Sequence, residues 1–125
     1  MDVTPLVPQG QQIIQSYSNG GFRVSGTVFK SPVIVALETT VPWDVSEKFE
    51  DLTMESFAPL LAQARDIDVV LLGCGKDMAF LPLAIRQELK ARGLPVESMD
   101  TGAACRTFNV LMTEGRRVVA ALLPV

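Results

Sequence analysis

The sequence predicts an α/β fold in which helices pack on the faces of a mostly parallel central sheet. Two observations support this prediction. After residue 67, short apolar runs alternate with amphipathic segments, as strands and helices alternate around a parallel sheet. Before residue 53, the chain is instead rich in strand-like alternation and turn signals. The chain has 125 residues, of which 48% are hydrophobic, so we expect one α/β domain over residues 1–125 with a single core.

The N-terminal half is predicted to begin with an extended arm over residues 1–11, which contain Pro5, Pro8 and Gly10. β structure follows as far as residue 37. Residues 19–21 read Asn-Gly-Gly, which accept the positive φ angles of a tight turn and therefore predict a β-hairpin. The alternation from Phe22 to Thr27 predicts one continuous strand.

Three further segments are expected before the second half. The apolar run from Val33 to Leu37 predicts a strand. Residues 40–43 are expected to be extended, because the residue before Pro42 avoids helical angles. Residues 53–64 have helical spacing, with Thr53 as the N-cap. Pro59 lies inside that segment and lacks a backbone donor, so a kink or a later start is expected there.

The second half contains three predicted strands and two predicted helices. Pro82 suits the first turn of one helix, and Gly93 suits the position just past its end. Asp100 or Thr101 is expected to cap the other helix, and Gly115 to end it. The predicted strands cover residues 68–73, 96–99 and 118–123, and the predicted helices cover residues 82–92 and 103–114.

Composition argues against several classes of function. The chain has no histidine, which removes the commonest general base and the commonest zinc ligand. We therefore expect no metal site and no cofactor. A formal net charge of −3 argues against a nucleic-acid binder, which needs basic patches to displace counterions. No apolar run approaches the roughly 18 residues that span a membrane, and the first 12 residues lack the basic residues of a targeting segment.

The two cysteines indicate the compartment. Cys74 and Cys105 are too few for a disulfide framework and lack the spacing of a metal site. Both are expected to be free thiols in a reducing environment, so we expect a soluble cytoplasmic protein.

Two predicted strand-to-helix junctions form the candidate functional site. Ligands of open α/β sheets bind outside the carboxyl ends of the strands, and the first turn of a helix attracts anions. If the two strands are neighbours, the junctions share one rim, where an arginine could fork onto a carboxylate or phosphate. The candidate anion pocket consists of Gly73, Gly75, Lys76, Asp100, Thr101, Gly102, Cys105, Arg106 and Asn109.

A structural interpretation of the same residues remains open. The glycines can make a tight turn, Asp100 and Thr101 can cap a helix, and Arg106 can pair with Asp100 or with a C-terminal carbonyl. Cys105 would have a lowered pKa and thiolate character if it lies near the helix start and the arginine. It could approach Cys74 if the loops are adjacent, although packing is the commoner role of a buried thiol. Trp43 can likewise be an exposed recognition residue or part of the core.

Four segments of the chain resemble the complex I assembly factor 3 family, whose domain is Mth938-like and of unknown function. The segments read MDTGAACRTFNVLMTEGRRVVAALLP, LLGCGKDMAFLP, YSNGGFRVSGTVF and VPWDV, and the resemblance extends over about residues 3–124. It implies a three-layer α/β fold with a mixed central sheet. It also implies assembly of respiratory complex I through protein contacts and no established catalytic residues, and the lack of a targeting segment suggests a bacterial member.

Two functional hypotheses follow. The first is a non-enzymatic interaction protein that assists assembly of a respiratory complex or another membrane protein; the resemblance and the missing catalytic set favour it over an enzyme. The alternative is a binder of, or enzyme acting on, an anionic small molecule at the two junctions. A hydrophobic surface beside the N-terminal hairpin would in addition favour a homodimer.

Overall fold

The computed structural model describes residues 10–125. These residues form a three-stranded sheet, a five-stranded sheet and three α-helices, which are joined by loops and short 3₁₀ turns. Of the predicted arm over residues 1–11, residues 1–9 lie outside the described residues. The smaller sheet is antiparallel, in the order β1-β2-β3. Its strands are β1 (Ile14–Ser18), β2 (Gly21–Val24) and β3 (Thr27–Phe29).

Two tight turns connect the strands of the smaller sheet. Asn19 and Gly20 have φ angles of 53° and 76°, which confirms the predicted hairpin. Ser25 and Gly26 also have positive φ angles, of 44° and 88°. The prediction of one strand through residue 27 is therefore wrong, because the chain reverses between β2 and β3. The alternation of residues 22–27 did not indicate this turn, because Gly26 continues the series of Phe22 and Val24 and so also fits the inward face of a strand.

The five-stranded sheet has the order β5-β4-β8-β6-β7 and is mixed. β6 pairs with β7 and with β8 in parallel, whereas β4 pairs with β5 and with β8 antiparallel. The expected mostly parallel sheet is thus corrected: parallel pairing is confined to one half. A tight turn from Ala36 to Thr39 joins β4 to β5, and so short a connection permits only antiparallel pairing. The strands are β4 (Val33–Val35), β5 (Thr40–Pro42), β6 (Val69–Gly73), β7 (Val96–Met99) and β8 (Val118–Leu122).

The predicted helix over residues 53–64 is shorter and later than its pattern suggested. Met54–Phe57 forms a 3₁₀ turn, and α1 covers only Ala58–Leu61, with Pro59 at its start. A proline is tolerated there because the first turn leaves its amide positions unpaired. None of the helices within residues 10–125 is long and apolar enough to cross a membrane. The longer helices are α2 (Leu83–Ala91) and α3 (Thr101–Thr113). Pro82 was predicted to lie in the first turn of α2, and it instead precedes the helix as its N-cap.

Two hydrophobic clusters bury the two faces of the five-stranded sheet. Val70 and Leu72 of β6 belong to the cluster that contains the buried residues of α1 and α2. Leu71, the residue between them, belongs to the cluster that contains α3 and inward side chains of β1 and β2. Successive residues of a strand point to opposite faces, so burial of both faces explains the continuous apolar sequence of β6.

Trp43 belongs to the core, which confirms the structural interpretation of that residue. Its side chain is 2% exposed and belongs to the cluster of α1 and α2. The ring packs edge-on against Phe57, with centroids 5.9 Å apart. Its indole N–H donates to the carbonyl of Ser56 over 2.8 Å, so the one polar group of the ring is satisfied.

Candidate functional site

The predicted site lies where β6 and β7 end side by side. Gly73 is the register partner of Met99, and the amide of Cys74 donates to the carbonyl of Met99 over 2.9 Å. Just beyond, the amide of Thr101 donates to the carbonyl of Gly75 over 2.9 Å. The two junctions are therefore neighbours, which meets the condition that the sequence left open, and they hydrogen-bond to each other directly.

Thr101 fills the space between the two junctions. It is the only buried polar residue in residues 10–125, with 0% exposure. Its hydroxyl donates to the carbonyl of Leu123 over 2.7 Å and accepts the amide of Gly75 over 2.9 Å. A Cβ at Gly73 would lie 3.0 Å from this hydroxyl oxygen and 2.9 Å from Leu122. The glycine at position 73 thus serves close packing, and the Thr101 hydroxyl and Gly75 amide are already engaged within the protein.

α3 begins at Thr101, two residues before its predicted start, and Asp100 caps it. Oδ1 of Asp100 accepts the amide of Ala103 over 2.8 Å, which places a carboxylate at the positive end of the helix dipole. A Cβ at Gly102 would lie 2.9 Å from the hydroxyl of Tyr17. The helix N-terminus is therefore occupied by the chain's own carboxylate and covered on one side by a tyrosine from β1.

The cations of the predicted pocket are exposed. Arg106 lies on α3, and its Nη1 donates to the hydroxyl of Tyr17 over 2.7 Å. The ion pairs found in residues 10–125 lie elsewhere, so the expected pairing of Arg106 with Asp100 does not occur. Lys76 is exposed in the loop after β6. These two side chains keep donors that an anion could use.

The two cysteines are buried on opposite faces of the five-stranded sheet. Cys74 belongs to the cluster of α1 and α2, and Cys105 to the cluster of α3, so the adjacent loops do not bring the thiols together. Burial raises the pKa of Cys105 to about 12, and the nearby Arg106 only partly opposes that rise. Burial also raises the pKa of Cys74. The expectation of a lowered pKa at Cys105 is corrected, because desolvation of the thiolate outweighs the cation.

Asn109 attaches β1 to α3. Its Oδ1 accepts the amide of Ile14 over 2.9 Å, and its Nδ2 donates to the carbonyl of Ile14 over 2.8 Å. Both ends of the side-chain amide are used on one backbone residue, as in a strand pairing. Asn109 therefore has a structural role, which its position one turn after Arg106 did not reveal.

The chemistry available at this rim is limited. Burial raises the pKa of both thiols and so disfavours the thiolate form that acts as a nucleophile. Within residues 10–125, no group of three or more histidine, cysteine or acidic side chains is arranged to hold a metal ion. The exposed Lys76 and Arg106 could bind an anion weakly. The predicted anion pocket stays a prediction.

A second surface, which the sequence did not predict, lies between α2 and β7. A groove of about 360 Å³ lies there; its lining includes Leu81, Arg86, Leu89, Lys90, Leu94 and Val96. Beside it, Phe80 is 65% exposed and lies under the guanidinium of Arg86, 5.7 Å from ring centroid to Cζ. The apolar stretch Phe80-Leu81-Pro82-Leu83, which runs from the loop after β6 into the first residue of α2, was the available signal.

Comparison with known proteins identifies relatives over most of the chain. A family model described as a protein of unknown function, DUF498/DUF598, matches residues 14–123. An uncharacterized protein of Rhodobacter capsulatus is 42% identical over 111 residues, which are 89% of this chain and 83% of that protein. NADH dehydrogenase [ubiquinone] 1 alpha subcomplex assembly factor 3 of Mus musculus is 38% identical over 89% of this chain, and the match spans 60% of the mouse protein.

A solved structure has the same fold. The solution NMR structure of a Bordetella pertussis protein, described as a Mth938-like domain, superposes with a TM-score of 0.83 at 28% identity. The match covers 99% of this chain and 92% of that one. The resemblance to the complex I assembly factor 3 family and to Mth938-like domains is confirmed.

Proposed function

The chain belongs to the DUF498/DUF598 family, and from this membership we propose that it assists assembly of a respiratory complex by binding proteins, without catalysing a reaction. The observation that carries the proposal is the 38% identity to the mouse assembly factor over 89% of this chain. The relative is named for assembly of NADH dehydrogenase, so membrane-associated subunits of that enzyme are the first partners to test.

The chemistry of the chain supports a binding role. Both thiols are buried with raised pKa values, and the hydroxyl of Thr101 and the side chain of Asn109 are engaged within the protein. Assembly factors act by holding clients, which requires exposed apolar surface rather than reactive groups. Phe80, Leu83 and Met78 supply such surface, with exposures of 65%, 59% and 48%.

The location is part of the same proposal. Cys74 and Cys105 are free thiols buried on opposite faces of the sheet. Free thiols are typical of reducing compartments, so we place the protein in the cytoplasm of a bacterial cell.

Complementation in Rhodobacter capsulatus tests the assembly role. The gene of the 42% identical relative is deleted, and NADH:quinone oxidoreductase activity and the amount of assembled complex are measured in membranes. We expect both to fall and to recover when this chain is expressed, with the native gene as the positive control. The proposal is contradicted if the deletion has no effect, or if this chain accumulates but restores nothing.

Anion binding at the two junctions is the alternative proposal, supported by the exposed Lys76 and Arg106. Thermal unfolding in phosphate and in citrate tests it, with Arg106→Ala as the matched variant and sodium chloride as the ionic-strength control. Stabilisation of the wild type that is lost in the variant favours the anion site. Equal responses of the two proteins reject it.

A further inference from the structure

Among residues 10–125, β7 forms an open edge of the five-stranded sheet. Within that part of the chain it pairs with β6 on one side only. The amide of Val70 donates to the carbonyl of Pro95, and the amide of Cys74 donates to that of Met99. In a parallel pair, alternate residues bond to one neighbour, so Val96 and Ser98 direct their amides and carbonyls away from the sheet. Two donors and two acceptors therefore face outward along this edge.

The opposite edge of the sheet is protected and this one is not. β5 ends in Pro42, which occupies a non-hydrogen-bonded position opposite Val33 of β4. The backbone nitrogen of Pro42 therefore faces the outer edge, where proline has no N–H to donate to an added strand. β7 contains no proline between Val96 and Met99, and its charged residue is the single Glu97. An unprotected edge is a template for an added strand.

The groove beside this edge specifies the side chains of such a strand. Leu81, Leu89 and Leu94 form its buried apolar floor. Arg86 and Lys90 contribute two positive charges to its lining, and Glu97 contributes one negative charge. The two cations are four residues apart on α2, which is about 6 Å along a helix. Alternate residues of an extended strand are about 6.7 Å apart, so two acidic residues at positions i and i+2 match the cations.

We propose that the open edge of β7 and the groove beside α2 bind an extended acidic-apolar segment of a client protein, which joins the sheet as a sixth strand. Outward amides and carbonyls of Val96 and Ser98 pair with the segment's backbone. Arg86 and Lys90 pair with its carboxylates, and its apolar side chains pack against the accessible surface of Pro95 and Val96 in the groove. This inference rests on the proposed function, because it identifies the surface and the kind of client segment that an assembly factor would hold.

A second copy of this chain fits the edge poorly. Two copies of β7 could pair antiparallel about a two-fold axis, with Val96 of each copy opposite Ser98 of the other. In that arrangement Glu97 of one copy lies directly opposite Glu97 of the other. Like charges at directly opposed positions destabilise a strand pair. The cations of the groove, in a chain of net charge −3, favour an acidic client segment instead.

A designed peptide tests the site on the full chain. The probe has nine residues, with threonine at odd positions and leucine, glutamate, glutamate and leucine at positions 2, 4, 6 and 8. One face then carries the acidic pair between two apolar side chains, in either chain direction. Binding is measured by fluorescence anisotropy and located by amide chemical shifts. We expect saturable binding that shifts the amides of Val96 and Ser98.

Two changes to the peptide separate strand addition from general attraction. N-methylation of alternate residues removes the hydrogen-bond donors on one edge of the peptide only. We expect one of the two alternate sets to weaken binding by about tenfold or more, and the other to have little effect. Replacing both glutamates by lysine is expected to weaken binding by at least about tenfold.

A charge swap in the protein completes the test. Arg86→Glu/Lys90→Glu is expected to prefer the lysine peptide, and Arg23→Glu/Lys48→Glu, at exposed positions elsewhere, is the control of equal net charge. Absence of binding, equal effects of the two N-methylated sets, or no reversal of charge preference would each overturn the inference. Dimerisation through β7 in sedimentation equilibrium would overturn it as well, in favour of self-association.

The R. capsulatus complementation distinguishes this inference from the proposed function. If the wild-type chain restores NADH:quinone oxidoreductase activity and Arg86→Glu/Lys90→Glu restores it fully, the docking site is wrong and the assembly role stands. If the chain restores nothing but the peptide binds with the expected charge reversal, the assembly role is wrong and the docking site stands.

Discussion

Replacing Thr101 by valine should destabilise the protein strongly, although the side chain keeps its shape. The hydroxyl makes hydrogen bonds of 2.7 Å to the carbonyl of Leu123 and 2.9 Å to the amide of Gly75. Each contributes about 1 kcal/mol net, and leaving the buried partners unsatisfied adds to the loss. Because valine creates almost no cavity, we expect the free energy of unfolding to fall by about 2–4 kcal/mol, a large part of a typical domain's stability.

Urea unfolding measures this loss. Trp43 is the single tryptophan and is buried, so its fluorescence reports the transition. With a typical slope of about 2 kcal/mol per molar urea, the midpoint should fall by about 1–2 M at unchanged slope. Thr101→Ser is the matched control, since it keeps the hydroxyl and loses one methyl group, at about 1 kcal/mol. The reasoning is refuted if valine costs less than about 1 kcal/mol, or if serine costs as much as valine.

Three further outcomes are expected. Asn109→Ala should lower the free energy of unfolding by about 2 kcal/mol, because the backbone N–H and C=O of Ile14 both lose their partner. Thr113→Ala is the control on the same helix: it loses only a hydrogen bond to the carbonyl of Val110 and should change the free energy of unfolding by less than about 0.5 kcal/mol. Gly26→Ala should destabilise by about 1 kcal/mol in the same urea assay, since the φ of 88° suits glycine; an unchanged midpoint would contradict the turn. Burial raises the pKa of Cys105 from its ordinary value of 9.0 to about 12, so its contribution to stability is complete below pH 9 and is lost as pH rises toward 12. Cys105→Ala should flatten that part of the profile, and an unaltered slope would show that the thiol does not cause it.

Local patterns were reliable where one residue type imposes one conformation. Asn19 and Gly20 predicted a tight turn because they accept positive φ, and both have it. Pro82 and Gly93 predicted the limits of α2 within a residue. Pro59 predicted a kink or a late start of the helix, and α1 indeed begins at Ala58, one residue before the proline. Each of these signals depends on the backbone of its own neighbourhood.

Pairing between distant segments was not predictable in the same way. The short turn after β4 makes its pairing with β5 local, but β4 also inserts beside β8, and nothing near Val33–Val35 in the chain encodes that second partner. The second turn, at Ser25 and Gly26, was missed because the alternation around it suits either one strand or two. Pairing order follows from the burial of both sheet faces, which is a property of the whole chain.

Most strands and helices, the positions of the two junctions and the family could be identified from the sequence. The roles of the junction residues depend on contacts that only folding creates. It placed the hydroxyl of Thr101 and the amide of Asn109 against backbone groups of residues 14, 75 and 123, and it buried Cys105 deeply enough to raise its pKa. A side chain's donors are available or engaged according to neighbours that lie far away in the sequence. The same reason left the open edge of β7 and its basic groove invisible until the strand order was known.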